Sequence, residues 1–180
     1  MNYVQPIRDL DKVNEMKVYL KSKSERNYIL FLLGISTGLR ISDILQLKKE
    51  DLLNTHINIK ETKTKKHKRI RIPPNARKEL IDYARRLKDG QFIIRSRQGG
   101  NRPIDRSSAY RILREAAEQV NLKEIGTHTL RKTFGYHFYH QTKDIAMLQE
   151  LFNHSSQDIT LRYIGINQDS LDKAMLKFKI

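Results

Sequence analysis

The chain has 180 residues, with 35 Lys or Arg against 20 Asp or Glu, so its formal net charge is +15 at pH 7. A positive excess this large indicates a polyanionic partner: nucleic acid is favoured, and an anionic membrane surface is the alternative. The absence of cysteine excludes a disulfide framework and a thiolate metal site. No apolar run approaches the roughly 18 residues of a membrane span, and the N-terminus lacks a signal-peptide pattern. A cytoplasmic protein is therefore expected.

The first elements are predicted to be helices. Apolar residues recur at helical spacing over 10–20, directly after Asp9, a residue suited to cap a helix N-terminus. A second helix is expected after Ser24, with Gly38 near its end, and a short helix is expected over 40–47.

Two segments then alternate in character as strands do. Residues 56–60 are rich in Ile, and 69–72 stop at a proline pair. A third strand is expected at 92–94. Seven of the twelve residues from 60 to 71 are Lys or Arg. A two-stranded ribbon with such a tip is suited to enter a DNA groove, although a solvated charged loop explains the same composition.

Helical patterns resume after the ribbon and continue to the C-terminus. They are expected at 75–88, 105–120, 127–140, 144–152, 156–163 and 168–178. Since no change in composition divides the chain, we predict one α+β domain, mostly helical, with a small antiparallel sheet.

The C-terminal third carries residues suited to phosphodiester chemistry. His128 and Arg131 lie three apart, so on a helix they share a face, close to its N-terminal end if Thr127 caps it. His154 and Tyr163 follow. Each residue taken alone is better explained as an ordinary buried histidine, a surface arginine or a tyrosine at the edge of a core.

Taken in order, these residues and an upstream segment resemble the tyrosine recombinase (phage integrase) family. The stretch 37–43, Thr-Gly-Leu-Arg-Ile-Ser-Asp, is similar to its first arginine box. The stretch 128–135 is similar to its second box, and 154–163 to its closing segment. The resemblance covers essentially the whole chain as the family's catalytic domain. Lys132 stands where the family usually has His, and Phe-Asn at 152–153 where it usually has Leu-Gly.

The resemblance implies a site-specific recombinase that cleaves and rejoins DNA strands through a 3′-phosphotyrosyl link, with no metal and no cofactor. Arg40 and Arg131 are expected to hold the phosphate oxygens, because guanidinium groups are permanently charged and fork-shaped. His154 would add a hydrogen bond. Tyr163 would be the nucleophile, with His128 as its base and with its pKa lowered by the nearby arginines.

The leaving 5′ oxygen needs a proton, and the resemblance places a lysine acid on the hairpin. Lys63 is the preferred residue, and Lys65 is the alternative. Contacts to DNA are expected from the other cations of the hairpin, namely Lys65, Lys66, Lys68 and Arg69.

In this family the catalytic domain usually follows a separate helical DNA-clamping domain, for which the chain has no room. Residues 1–180 are therefore expected to be the catalytic domain alone. Double-stranded DNA is the expected partner, and the resemblance implies self-association on DNA as a tetrameric synapse. The C-terminal helix would pack on its own domain or on a neighbouring subunit. A non-cleaving DNA-binding regulatory module on the same fold and a type IB topoisomerase-like enzyme are the alternative functions.

Overall fold

The computed structural model describes residues 4–123 and 125–178, and within them the chain forms ten helices and two strands. The helices are α1 (Leu10–Lys23), α2 (Glu25–Thr37), α3 (Ile41–Ile44), α4 (Lys49–Leu53), α5 (Pro74–Arg85), α6 (Arg106–Gln119), α7 (Thr129–Thr142), α8 (Ile145–Phe152), α9 (Gln157–Ile164) and α10 (Ile166–Lys177). The strands are β1 (His56–Lys60) and β2 (His67–Arg71). The predicted mostly helical fold with a small antiparallel sheet is confirmed.

Helix α2 lies at the centre of the domain. Every residue from Tyr28 to Gly34 is buried, as expected of a helix packed on all sides, and α2 contacts α1, α5 and α7. The carboxylate of Asp9 caps α1 as predicted, accepting a hydrogen bond from the Asp11 backbone N–H at 2.8 Å. Ser24 precedes α2, but its side chain makes no capping hydrogen bond.

The two strands form the predicted ribbon. They pair antiparallel, with His56 opposite Arg71 and Lys60 opposite His67, and they are joined by the cationic loop 61–66. Ile57 lies opposite Ile70, and both side chains are buried against the domain. The ribbon is therefore anchored at its base by apolar packing.

The predicted third strand at 92–94 is wrong. Phe92 makes only an isolated bridge with Lys48, and the next two residues lie in a turn. Ile93 and Ile94 are fully buried, so their apolar character reflects core packing and not strand pairing.

Two helix boundaries also differ from the prediction. Helix α7 begins at Thr129 and not after Thr127, because His128 occupies the N-cap position. The Thr129 hydroxyl closes this turn by accepting a hydrogen bond from the Gly126 N–H at 2.9 Å. The short helix predicted over 40–47 ends at Ile44.

The apolar interior consists of a large core and a small cluster. The large core contains the buried apolar side chains of α1 to α6, the strands and the start of α7. The small cluster contains Leu148, Phe152 and Ile164, with Phe134 and Phe138 of α7 packed against it. No helix in the described ranges is both long enough and apolar enough to cross a membrane.

Candidate active site

The turn after α2 positions both candidate arginines. Gly38 ends α2 with φ +63°, and Arg40 follows as the N-cap of α3. Arg131, on the first turn of α7, donates one hydrogen bond to the Gly38 carbonyl at 2.6 Å and another to the Phe152 carbonyl at 2.9 Å. A Cβ at Gly38 would lie 2.4 Å from Cδ1 of Phe134, so both the backbone angle and the available space require glycine there.

Arg131 is almost fully buried yet remains a cation. Its guanidinium carbon lies 4.2 Å from the ring centroid of Phe152, which adds a cation–π contact to the two carbonyl bonds. Burial lowers the pKa of Arg131 to about 10, so it keeps its charge at neutral pH. A fixed, desolvated positive charge of this kind is suited to hold an anion.

The candidate nucleophile and both histidines lie together beside Arg131. Nδ1 of His128 is 3.3 Å from the Tyr163 hydroxyl oxygen. The His154 and Tyr163 rings meet edge to face with centroids 5.1 Å apart. Nδ1 of His154 contacts the Thr160 hydroxyl at 3.1 Å. Side chains from the start of α7, the α8–α9 connection and α9 are thus brought to one place.

Both histidines favour the neutral form. Burial, helped by the nearby cations, lowers the pKa of His128 and lowers that of His154 to about 4. The pKa of Tyr163 is raised because burial outweighs the opposing effect of Arg131 and Arg40. The predicted lowering by the arginines is therefore wrong for the net shift, although its direction holds for the arginines themselves.

The structure separates the hairpin lysines. Lys63 and Lys65 are exposed in the loop, and Lys65 adopts φ +60°, so the two do not share a strand face as predicted. Lys68, predicted only as a DNA contact, is half-buried on β2. Its ammonium donates a hydrogen bond to the Leu151 carbonyl and lies 3.6 Å from Oε1 of Glu61. Burial and Arg131 lower the pKa of Lys68 to about 8.

Sequence analysis overlooked two acidic residues at the site. Glu61 is 1% exposed, and its Oε1 lies 2.6 Å from Nη1 of Arg40. Asp43 is buried as well: its Oδ1 accepts a hydrogen bond from the Thr62 N–H at 2.8 Å, and its Oδ2 lies 3.9 Å from Nη1 of Arg40. One signal was available, because Glu61 is the single acidic residue in the cationic stretch 60–71.

The remaining hairpin cations lie at different distances from this cluster. Lys66 donates a hydrogen bond to Oδ1 of Asn153 at 3.0 Å. Arg69 is exposed on β2, 3.4 Å from Nδ1 of His56. With Lys63 and Lys65, they leave a positively charged outer face on the hairpin.

The two departures from the family pattern are accommodated locally. Asn153 adopts φ +53° as the C-cap of α8, a left-handed conformation that Gly adopts most readily and Asn tolerates. The turn therefore keeps the expected form. The Lys132 ammonium donates a hydrogen bond to the Val4 carbonyl at 2.8 Å and lies 5.2 Å from the Tyr163 ring centroid.

Comparisons with known proteins agree with this geometry. The model of the phage integrase family matches residues 8–169. The probable integrase/recombinase YoeC of Bacillus subtilis (strain 168) is 51% identical over 179 residues, covering 99% of this chain and 98% of that protein. Tyrosine recombinase XerA of Pyrococcus furiosus is 27% identical, covering 92% of this chain and 59% of that relative. The chain thus spans about three-fifths of the length of that relative.

Solved structures share the fold. A crystal structure of XerA recombinase superposes with a TM-score of 0.74 at 20% identity, covering 100% of this chain and 66% of that chain. A lambda integrase dimer bound to a COC' core site gives a TM-score of 0.72 at 20% identity, covering 91% of this chain and 48% of that chain.

Proposed function

The chain belongs to the phage integrase family, and from that premise we propose that it is a site-specific recombinase that cleaves and rejoins DNA strands through a 3′-phosphotyrosyl intermediate. The observation that carries this proposal is the convergence of the Tyr163 hydroxyl, the His128 imidazole and the two arginines. A phenol beside a neutral base and two guanidinium groups has the parts needed to attack a phosphodiester.

Phosphate binding is assigned to Arg40, Arg131 and His154. Arg131 uses two donors on backbone carbonyls, and a guanidinium has five, so donors remain for phosphate oxygens. His154 engages Thr160 through Nδ1, which leaves Nε2 as the donor for a phosphate oxygen. Charge that develops on the phosphate oxygens in the transition state is stabilised by these fixed groups without a metal ion.

Cleavage then follows from the positions of the remaining groups. Neutral His128 takes the hydroxyl proton of Tyr163, the phenolate oxygen bonds to phosphorus, and the bond from phosphorus to the 5′ oxygen breaks. The reverse step with a 5′ hydroxyl from another strand rejoins the DNA. One phosphodiester bond is exchanged for another, so no energy source is required.

The leaving 5′ oxygen receives its proton from a hairpin lysine. Lys63 is the residue that the resemblance favours, but the position of Lys68 supports it in that role. Lys68 lies beside the phosphate-binding arginines, and with a pKa of about 8 it is mostly protonated at pH 7 and can still release a proton. The exposed Lys63 would then contact DNA together with Lys65, Lys66 and Arg69.

The proposed partner is double-stranded DNA, held by protomers that associate on it. Structural neighbours include XerH bound to a difH substrate and a lambda integrase tetramer bound to a Holliday junction. The +15 net charge and the cationic outer face of the hairpin support the same kind of partner here.

The test is a search for a covalent adduct. The protein is incubated with a pool of nicked duplexes of randomised core sequence, and detergent-resistant protein–DNA complexes are isolated and sequenced. Wild-type protein should form them, with the nucleotide attached to the peptide that contains Tyr163. Tyr163→Phe should abolish the adduct, whereas Tyr110→Phe, which removes a hydroxyl on the outer side of α6, should not.

Persistence of the adduct in Tyr163→Phe, or its absence with folded wild-type protein, would contradict the proposal. The high positive charge favours a non-cleaving DNA-binding module as the second candidate function. That function would appear as binding with a steep salt dependence, no adduct, and no effect of Tyr163→Phe. Relaxation of supercoiled DNA without sequence preference would instead indicate a topoisomerase.

A further inference from the structure

We infer that Glu61 is a positioning residue that joins Arg40 to Lys68 and keeps the Lys68 ammonium protonated and in place for the leaving 5′ oxygen. This inference rests on the proposed function. In the step concerned, the Tyr163 oxygen bonds to phosphorus, the bond from phosphorus to the 5′ oxygen breaks, and a proton moves from Lys68 to that oxygen.

The contacts of Glu61 are those of a built junction. One carboxylate oxygen lies 2.6 Å from Nη1 of Arg40 and 3.6 Å from the Lys68 ammonium. The other accepts a hydrogen bond from the Thr64 hydroxyl in the hairpin loop. Burial alone would raise the pKa of Glu61, but Thr64, Lys68 and Arg40 together lower it, so Glu61 is an anion at neutral pH.

A buried carboxylate beside a phosphate-binding arginine needs an explanation, because it opposes the binding of another anion. The charges around Lys68 supply one. Arg40, Arg131 and His154 face it from α3, α7 and the connection between α8 and α9, and the two arginines favour its neutral form. Glu61 is the anion at contact distance, and it counters them.

The ligands of the Lys68 ammonium also define its position. The Leu151 carbonyl at the end of α8 and the Glu61 carboxylate at the end of β1 both contact it. Removing the carboxylate would leave a half-buried ammonium among cations, which favours loss of its proton or movement toward water. Either change would weaken a proton donor.

The first experiment reads the titration of Lys68 without DNA. Competitive acetylation with acetic anhydride across pH, followed by peptide mass spectrometry, gives the midpoint at which Lys68 loses its proton. Wild type should titrate at about 8, and Glu61→Gln should lower the midpoint by about 1 unit or more. Glu118→Gln, which removes the partner of Arg114 on α6, is the matched control and should leave the midpoint unchanged.

Glu61→Asp keeps the charge and should hold the Lys68 midpoint near the wild-type value, and thermal unfolding shows whether each variant is folded. An unchanged midpoint in folded Glu61→Gln would overturn the inference. This outcome is independent of cleavage, so it is distinct from a failure of the proposed function, in which wild type forms no adduct on any duplex.

The second experiment reads the chemistry on a duplex recovered from the adduct selection. Near neutral pH, Glu61→Gln should form adduct roughly 10- to 100-fold more slowly than wild type, and lowering the pH should recover part of the rate. A substrate with sulfur in place of the leaving 5′ oxygen should restore the rate, because a thiolate leaves without a proton. Arg40→Ala should stay slow on both substrates.

Two results of the second experiment would overturn the inference. An equal loss at every pH and on both substrates would show that Glu61 serves only the packing of the hairpin. A faster or tighter Glu61→Gln enzyme would show that the carboxylate merely occupies Arg40 until phosphate displaces it.

Discussion

The large core and the small cluster contribute different halves of the candidate site. The large core holds the turn that carries Arg40, and it extends to the first turn of α7, where Arg131 lies. The small cluster of α8 and α9 carries His154 and Tyr163. Arg131 joins the two, because it bonds to a carbonyl on each side. The groups that hold the phosphate thus rest on extensive packing, whereas the nucleophile rests on a few apolar side chains.

Removing the central ring of the small cluster should have the largest effect. Phe152→Ala leaves a cavity and takes away the ring on which Arg131 stacks, so we expect a loss of about 3–5 kcal/mol of unfolding free energy. Leu33→Ala in the large core should cost about 2–5 kcal/mol. Urea denaturation measures both losses.

Hydrogen exchange distinguishes the two regions. Phe152→Ala should raise exchange selectively in α8 and α9, whereas Leu33→Ala should lower protection throughout the domain. Uniform loss of protection in both variants would mean that the small cluster is not a separate unit.

Gly38→Ala should have the next largest effect. Alanine at φ +63° costs about 1–2 kcal/mol, and its methyl would overlap Phe134, which adds about 1–3 kcal/mol. Gly90→Ala is the matched control: Gly90 has φ +71°, but nothing lies within 4 Å of its added Cβ, so only the backbone cost applies. Equal unfolding free energies for the two variants would show that Phe134 yields without cost.

The pH dependence of stability should show a smaller effect. Folding lowers the pKa of His154 to about 4 from its usual value near 6.5, so below that value the unfolded chain binds a proton that the folded protein does not. Stability should therefore fall as the pH drops from about 6.5 to 4, by about 1 kcal/mol after allowance for solvent. Urea titrations of wild type and His154→Asn at several pH values isolate this contribution, and parallel pH profiles would contradict it.

Asn153→Gly should have the smallest effect. Glycine adopts the left-handed conformation more readily, and the change removes only the amide oxygen that receives the Lys66 ammonium. We expect a change in unfolding free energy within about 0.5 kcal/mol. Lys66→Ala removes the same contact from the other side, and a large loss in either variant by urea denaturation would show that this contact holds the hairpin on α8.

Local patterns predicted much of the fold. The helical spacing after Asp9 and the alternation at 56–60 and 69–72 correspond to helices and strands of the structure, because each depends on neighbours a few residues away. The short apolar run at 92–94 does not form a strand, because a strand needs a pairing partner that sequence periodicity does not reveal. The resemblance to the phage integrase family is confirmed.

The candidate site was predicted unevenly. The sequence selected Arg40, His128, Arg131, His154 and Tyr163, and the structure brings them together, while their roles stay predictions. The choice of lysine depended on register: Lys68 lies two residues before the buried Ile70 and shares its inward side of β2, whereas the repeated lysines of the loop carry no such signal.

The sequence by itself determined the class of partner, the helical fold with its cationic ribbon, and the set of residues suited to phosphodiester chemistry. These follow from composition and local spacing. Only the tertiary structure decided that Glu61 contacts Arg40 and Lys68, that the pKa of Tyr163 is raised, and that Arg131 joins the two apolar regions. Each depends on burial and on charges from segments far apart in the chain, which local spacing does not encode.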